Sequence, residues 1–170
     1  MENQELVKLL NAGRIRTVNP MEAQVADGVK HKWESCFARV LCKIEAFNPF
    51  DLDSPGVKGW FAYAKNANAS SDLLLSDGRI VELKYVRNEN ASEIRNGLLQ
   101  AVEYAKRYGK GVVFLVADTR KVPIDGQNVL KSSVLVDGFK HWVKESLDVD
   151  FTFIYGSLLG EGEFFNWVEL

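Results

Sequence analysis

The chain has 170 residues, of which 46% are hydrophobic, and it includes ten Phe and four Trp. This composition excludes a disordered chain and predicts one domain that buries a sizeable core. No apolar run reaches the length of a membrane span, and the N-terminus lacks a signal-peptide pattern, so we expect a cytoplasmic protein without a membrane partner. The net charge of −2 shows that the chain is not basic as a whole.

The N-terminal part is predicted to be helical. A short helix is expected over residues 2–10, and a longer one begins at Asn19-Pro20, with Asn as the N-cap, and reaches Phe47 before Asn48-Pro49 ends it. Cys36 and Cys42 are six residues apart on this predicted helix and point in different directions. We therefore expect no disulfide between them, which suits a reducing compartment. The apolar stripe of the long helix consists of Val29, Trp33, Phe37, Val40 and Ile44.

Strands and helices alternate in the rest of the chain. Residues 57–64 are predicted to be the first strand, and a hairpin follows. A capping box at residues 90–93 begins a helix that ends at Gly109, and the apolar run 112–117 suits a central strand. The last elements are a helix over 130–147 and strands at 151–155 and 163–168. This order predicts an α/β domain with a mixed central sheet and flanking helices on both faces.

We interpret the whole chain, 1–170, as a single domain in three parts. The N-terminal helices occupy residues 1–47. A motif core occupies residues 57–118, and the C-terminal helix and strands occupy residues 130–170. The motif core contains the hairpin, which is the most informative stretch of the sequence.

The hairpin lies around Asp77-Gly78, which stands between two apolar runs. A two-residue loop of Asp77-Gly78 would put Asp72 and Glu82 on opposite faces of the sheet. A three-residue loop that also includes Ser76 would pair Leu75 with Arg79 and set Asp72 directly across from Glu82. We expect the three-residue loop, because Gly78 then occupies the left-handed position that glycine favours.

Two opposed carboxylates would repel unless one is protonated or a cation lies between them. Oxygen ligands of this kind suit Mg²⁺, which often takes only one or two protein carboxylates. Lys84 lies on the same face as Glu82, where it would orient a water or stabilise a charged transition state. The alternative is a solvated pair of Glu82 and Lys84, with an ordinary Asp at the start of a strand.

The pattern of Asp72, nine intervening residues and Glu82-Leu83-Lys84 resembles the signature of the PD-(D/E)XK nuclease superfamily. Ser71 stands where the family pattern has Pro. Gln100 and Tyr104 resemble the Gln-x-x-x-Tyr element of RecB-type members. The resemblance covers residues 20–118 and implies a restriction-endonuclease-like fold.

The resemblance also implies roles for individual residues. Asp72 and Glu82 would bind Mg²⁺ together with the Leu83 carbonyl, and Mn²⁺ is expected to substitute. Family members often add an acidic residue from the helix before the sheet, and Glu34 is our choice over Glu45, although an ordinary boundary glutamate is an equal alternative. Catalytic residues would be Asp72, Glu82, Lys84, Gln100 and Tyr104.

Positive charge is concentrated after the hairpin. Residues 79–131 carry ten Lys and Arg against six Asp and Glu, whereas residues 132–170 carry two against seven. Phosphate binding needs local rather than overall positive charge, so the basic segment is the predicted DNA-binding region. The acidic segment fits either an oligomer surface, such as that of a homodimer, or a solvated face. The candidates for phosphate contacts are Arg87, Arg95, Lys106, Arg107, Lys110, Arg120 and Lys121, although a solvated helix face explains Lys106 and Arg107 equally well. From these we predict Arg87, Arg95, Arg107 and Lys110 as the contacts.

Together these features predict a metal-dependent nuclease that hydrolyses DNA phosphodiester bonds. By resemblance, such a protein would act in DNA repair, recombination, restriction or the processing of mobile or viral DNA. The alternative is an inactive nuclease-like domain that binds nucleic acid or a protein partner.

Overall fold

The computed structural model describes residues 1–19, 32–49, 73–87, 97–99, 101–103, 105–106, 111–120, 137–158 and 164–170. Within these residues the chain has a mixed α/β architecture with a six-stranded sheet. The strands are β1 (Phe47–Pro49), β2 (Leu73–Leu75), β3 (Ile80–Val86), β4 (Val112–Asp118), β5 (Phe151–Ser157) and β6 (Asn166–Glu169). The helices are α1 (Asn3–Ala12), α2 (Lys32–Leu41), α3 (helical residues 97–99, 101–103 and 105–106) and α4 (Asp137–Leu147).

The strands lie in the sheet in chain order, from β1 to β6. Strands β3, β4 and β5 are parallel, whereas β1, β2 and β6 join the sheet by antiparallel pairing. All seven residues of β4 are buried. The apolar run 112–117 was predicted to be a central strand, and this is confirmed, since a parallel strand covered on both faces favours continuous apolar sequence.

Helices cover both faces of the sheet. One core cluster joins Leu6 of α1 and Phe37 of α2 to Leu83 and Leu115, and the other joins Leu98 of α3 and Val143 of α4 to Phe114 and Phe153. Leu115 follows Phe114 directly, and successive strand residues point to opposite faces. Each fully buried side chain of this size contributes about 1.5–3 kcal/mol to folding, so the two clusters hold the helices against the sheet.

Helix α1 closes the edge of the sheet at β6. The Asn11 side chain accepts a hydrogen bond from the Trp167 N–H (2.9 Å) and donates one to the Trp167 carbonyl (3.0 Å). This amide therefore occupies backbone groups through which an edge strand would otherwise pair with another chain. The Trp167 indole lies on Gly156, where a Cβ atom would come within 2.6 Å of the ring.

The predicted continuation of the second helix to Phe47 is wrong. Helix α2 ends at Leu41, and after a turn the chain enters β1, where Phe47 pairs with Leu75 of β2. Ala46 has a φ of 90°, which a helix does not permit. Pairing with β2 and burial of Phe47, which is 3% exposed, outweigh the local helical preference of this segment. Asn48-Pro49 therefore belongs to a strand.

The other predicted elements are confirmed where the structure describes them. Helix α1 extends two residues beyond its predicted end, and the strands predicted at 151–155 and 163–168 correspond to β5 and β6. Cys36 and Cys42 are both free thiols, as expected, and burial raises the pKa of each. The predicted first strand at 57–64 and the helix start at Asn19-Pro20 extend outside the described residues. No helix in the described part of the chain is long and apolar enough to cross a membrane.

Candidate active site on strand β3

The turn between β2 and β3 has three residues, Ser76-Asp77-Gly78. The Leu75 N–H donates to the Arg79 carbonyl (2.8 Å), and the Gly78 N–H donates to the Leu75 carbonyl (2.9 Å). Gly78 has a φ of 91°, in the region where glycine is favoured. The predicted three-residue loop is confirmed, and the two-residue alternative is excluded.

The charged pair Asp77 and Arg79 holds this turn in place. The Asp77 carboxylate accepts hydrogen bonds from both the backbone N–H and the Nε of Arg79, each at 3.0 Å. The Arg79 guanidinium also donates to Asn3 Oδ1 (2.7 Å), so the turn is connected to helix α1. A turn supported on two sides fixes the register of the strands that follow it.

The register agrees with the prediction as far as the structure describes it. Leu74 pairs with Ile80, and Leu73 pairs with Val81. Asp72 lies outside the described residues, so its position across from Glu82 stays a prediction. Leu73, Val81 and Leu83 belong to the same core cluster, as expected for one face of this hairpin.

Glu82 and Lys84 lie on the other face of β3. In the parallel pairing with β4, Glu82 is next to Phe114 and Lys84 is next to Val116, and both of these neighbours belong to the second core cluster. Glu82 is only 6% exposed. A carboxylate in such a place requires a proton or a compensating positive charge, because an isolated buried charge costs several kcal/mol.

Helix α2 brings a second carboxylate to Lys84. Glu34 Oε1 lies 3.8 Å from Lys84 Nζ, and the two side chains are 12% and 19% exposed. Within the described residues, β2 pairs with β3 at Ile80 and Val81, whereas β4 pairs along all seven residues of β3. Glu34 was chosen from sequence over Glu45, and the structure places Glu34 beside a predicted catalytic residue.

Glu45 lies elsewhere than predicted. It was expected at the end of a long helix, but it is exposed in the turn between α2 and β1. The reason is the early end of α2 at Leu41, since the residues after it are no longer helical. An exposed side chain at this turn is available as a control for substitutions of Glu34 and Glu82.

Helix α3 passes close over the same face of β3. A Cβ atom at Gly97 would lie 3.1 Å from the Phe114 ring and 3.6 Å from the Lys84 side chain. The glycine at this position therefore lets the backbone of α3 lie close to β3 and β4. Gln100 and Tyr104 lie outside the described residues, so their predicted contacts with the site remain predictions.

Arg87 follows β3 and stacks on helix α2. Its guanidinium carbon lies 4.3 Å from the centre of the Trp33 ring, and Trp33 in turn lies nearly parallel to Tyr85. Arg87 is exposed, so the stacked guanidinium faces solvent at the carboxyl end of β3. Arg95, Arg107 and Lys110 lie outside the described residues. Leu83, the third proposed metal ligand, is 1% exposed, and its side chain packs in the first core cluster.

The sequence indicated Arg120 as a candidate for phosphate contact but not the buried polar cluster that it joins at the carboxyl ends of β4 and β5. Asp118 is 0% exposed; it accepts hydrogen bonds from Arg120 Nε (2.9 Å), from Arg120 Nη2 (2.7 Å) and from the Tyr155 hydroxyl. Burial and the Asp118 carboxylate raise the pKa of Tyr155. The sequence signal was present, because Asp118 directly follows a wholly apolar run and Arg120 stands two residues later.

Within the described ranges, no group of three or more His, Cys, Asp or Glu side chains is close enough to hold a metal ion. Asp72, which the predicted ligand set requires, is not among those residues. The described residues supply two carboxylates, Glu82 of β3 and Glu34 of α2. Lys84 of β3 lies beside Glu34.

Comparison with known proteins adds no relative. No protein-family model matches the chain. Searches among curated proteins and among solved structures likewise find no match.

Proposed function

We propose that this chain is a Mg²⁺-dependent deoxyribonuclease with a restriction-endonuclease-like fold. The observation that carries the proposal is the three-residue turn, since it fixes which residue of β2 lies across from each residue of β3. Continued by one residue, the register of Leu73 with Val81 would put Asp72 across from Glu82. Glu34, 3.8 Å from Lys84, adds a further carboxylate from α2.

The donor set fits a hard divalent cation. Glu82 is a buried carboxylate, and a bound cation would compensate its charge. Mg²⁺ takes oxygen ligands and keeps several waters, so the carboxylates of Asp72 and Glu82, the Leu83 carbonyl and the nearby Glu34 are suitable ligands. When bound, the metal would polarise the phosphate and acidify a water molecule. Mn²⁺ is expected to substitute.

The protein's own groups would orient the reactants. Lys84 is mostly buried and lies beside Glu34, so its ammonium group has a restricted position. There it would hold the attacking water or offset the negative charge that develops on the phosphate. Gln100 and Tyr104 would support the nucleotide from α3. These roles require the helix to lie close to β3, and Gly97 allows that approach.

The test is cleavage of a panel of DNA forms with Mg²⁺ or Mn²⁺, with and without a chelator. We expect cleavage by the wild-type protein that stops on chelation. Glu82→Gln and Asp72→Asn should abolish it without loss of thermal stability, because each removes a charge from a repelling pair. Glu45→Gln makes the same chemical change at an exposed position and should leave cleavage unchanged. Equal cleavage by Glu82→Gln and Glu45→Gln would contradict the proposal.

A second function is favoured by the ion pair of Lys84 and Glu34. This pair gives both side chains a structural role without a metal, as expected for a nuclease-like domain that binds nucleic acid or a protein partner without cutting. Such a domain would bind DNA equally well with and without Mg²⁺ and would cleave none of the DNA forms. Titration of the wild type and Glu82→Gln with Mg²⁺ by calorimetry separates the two functions, because only a nuclease should lose metal binding in the variant.

A further inference from the structure

A buried carboxylate holds Arg120 at the carboxyl edge of the parallel strands. Asp118 ends β4 and is wholly buried, whereas the Arg120 side chain is 25% exposed. Asp118 Oδ1 also accepts a hydrogen bond from the Arg120 backbone N–H (3.0 Å). With two guanidinium bonds and one backbone bond to the same carboxylate, the position of Arg120 is strongly restricted.

Tyr155 of β5 fixes the carboxylate from the other side. Its hydroxyl donates a hydrogen bond to Asp118 Oδ2, and the same oxygen also accepts a hydrogen bond from Arg120 Nη2. The hydrogen bond to Asp118 raises the pKa of the Arg120 guanidinium, so its charge is permanent. Burying such an ion pair brings little net stability compared with apolar residues of similar size. A function for the exposed part of Arg120 would account for the pair.

The side of the guanidinium that Asp118 leaves unused suits a phosphate. A guanidinium has five N–H donors in a planar fork; Asp118 takes Nε and one hydrogen of Nη2, and the Tyr155 hydroxyl also interacts with the guanidinium. The Nη1 hydrogens lie on the side away from Asp118 and match the oxygens of a phosphate group.

The location of Arg120 also matches the proposed active site. Lys84, Val116 and Tyr155 are neighbours across β3, β4 and β5, and Asp118 lies two residues beyond Val116 on the same face. Ligands of open α/β sheets bind at the carboxyl ends of the parallel strands. A DNA strand with one phosphate at Glu82 and Lys84 would therefore pass over this edge.

We propose that Arg120 contacts a DNA phosphate next to the one that is cleaved, and that Asp118 and Tyr155 position its guanidinium. This inference rests on the proposed nuclease function. Asp118 and Tyr155 are positioning residues, since they act on DNA only through Arg120. Among the residues that the structure describes, Arg120 and Arg87 follow adjacent parallel strands and would contact successive parts of the backbone.

The experiment measures the affinity for duplex and single-stranded DNA at several salt concentrations in the Glu82→Gln background, so that cleavage does not interfere. Arg120→Ala should weaken binding about tenfold and lower the salt slope by about one phosphate contact. Lys144→Ala is the matched control, because it removes one positive charge near Asp150, at the amino end of β5. It should change neither quantity.

Asp118→Asn provides a test in which the two explanations predict opposite changes in DNA affinity. It removes a negative charge, so a purely electrostatic effect would strengthen DNA binding, whereas loss of a positioned Arg120 should weaken it. If Asp118→Asn does not fold, Tyr155→Phe and Arg120→Lys keep the total charge, and each should weaken binding while circular dichroism shows that it is folded at the assay temperature. If the wild type cleaves DNA and Arg120→Ala leaves the DNA affinity unchanged, this inference alone is overturned. No DNA binding and no cleavage by any form would overturn the proposed function as well.

Discussion

Lys84 Nζ of strand β3 lies 3.8 Å from Glu34 Oε1 of helix α2. The two residues are fifty positions apart in the sequence. They meet because helix α2 packs on strand β3, where Phe37 and Leu83 belong to the same core cluster. This contact joins an acidic residue from the N-terminal helices to the Glu82-Leu83-Lys84 stretch.

Substitution of Lys84 and Glu34 should separate catalysis from stability. Lys84→Ala should lower the cleavage rate by about 100-fold or more, because a positioned charge is removed, while Mg²⁺ binding is retained. The ion pair itself should contribute only about 0.5–1 kcal/mol, measured as the coupling in a double-mutant cycle with Glu34→Gln. Cleavage by Lys84→Ala at the wild-type rate would show that the lysine has only a structural role.

Gly78→Ala should destabilise the hairpin. The φ of 91° at this position costs an alanine about 1–2 kcal/mol, because its Cβ atom approaches the backbone. The free energy of unfolding, measured with urea, should fall by this amount. Since the turn sets the register of Glu82, the cleavage rate should fall by more than the loss of folded protein explains. Wild-type stability in this variant would contradict the turn geometry.

Gly97→Ala should also destabilise the protein, although alanine is the better helix former. A Cβ atom would lie 3.1 Å from the Phe114 ring, and Phe114 is wholly buried against Phe153. The ring has little room to move, so we expect a net loss of about 1 kcal/mol. Gly138→Ala is the control, because Gly138 is exposed on α4 and its replacement should gain about 0.5–1 kcal/mol. Equal gains in both variants would contradict close packing of α3 on β3.

Tyr155 should make the stability of the protein fall at alkaline pH. The pKa of its phenol is raised above the ordinary value of about 10, first by burial and then by Asp118. The folded state therefore keeps the proton longer than the unfolded chain does. The stabilisation is full below pH 10 and is lost as the pH rises above it, by at most about 1.4 kcal/mol per pH unit.

The comparison with Tyr155→Phe isolates this effect. Urea unfolding of both proteins between pH 8 and about pH 11 should show a steeper fall in the wild type above pH 10. Below that pH the difference between the two proteins should be constant. Parallel curves over the whole range would show that the Tyr155 phenol has an ordinary pKa in the folded protein.

Arg87 and Arg95 are expected to contact DNA phosphates. Arg87 is exposed and held against Trp33, so little side-chain freedom is lost when it binds. The double variant Arg87→Ala with Arg95→Ala should weaken DNA binding and reduce the salt slope by about 0.9 log units per lost contact on duplex DNA. Charge changes in residues 132–170, such as Lys140→Ala, should not alter the slope. Unchanged binding in the double variant would favour a module that does not use this edge of the sheet.

Local sequence determined the hairpin. The turn type follows from residues 75–79 themselves, because only glycine readily adopts the backbone angle at Gly78, and the alternation of apolar residues then fixes which side chains share a face. The central strand was also predictable, since a continuous apolar run has few other places in a small α/β domain. The hairpin turn and the central strand therefore both follow from residues that are close together in the sequence.

Tertiary structure decided the features that depend on distant residues. Helix α2 ends at Leu41 because Phe47 gains more from pairing with β2 and from burial than from another helical turn, and no local signal shows this balance. The contact between Glu34 and Lys84 and the cluster of Asp118, Arg120 and Tyr155 likewise require strands and helices to be placed beside each other. Sequence determined which side chains were available for the site, and the packing of the helices and strands determined which of them meet.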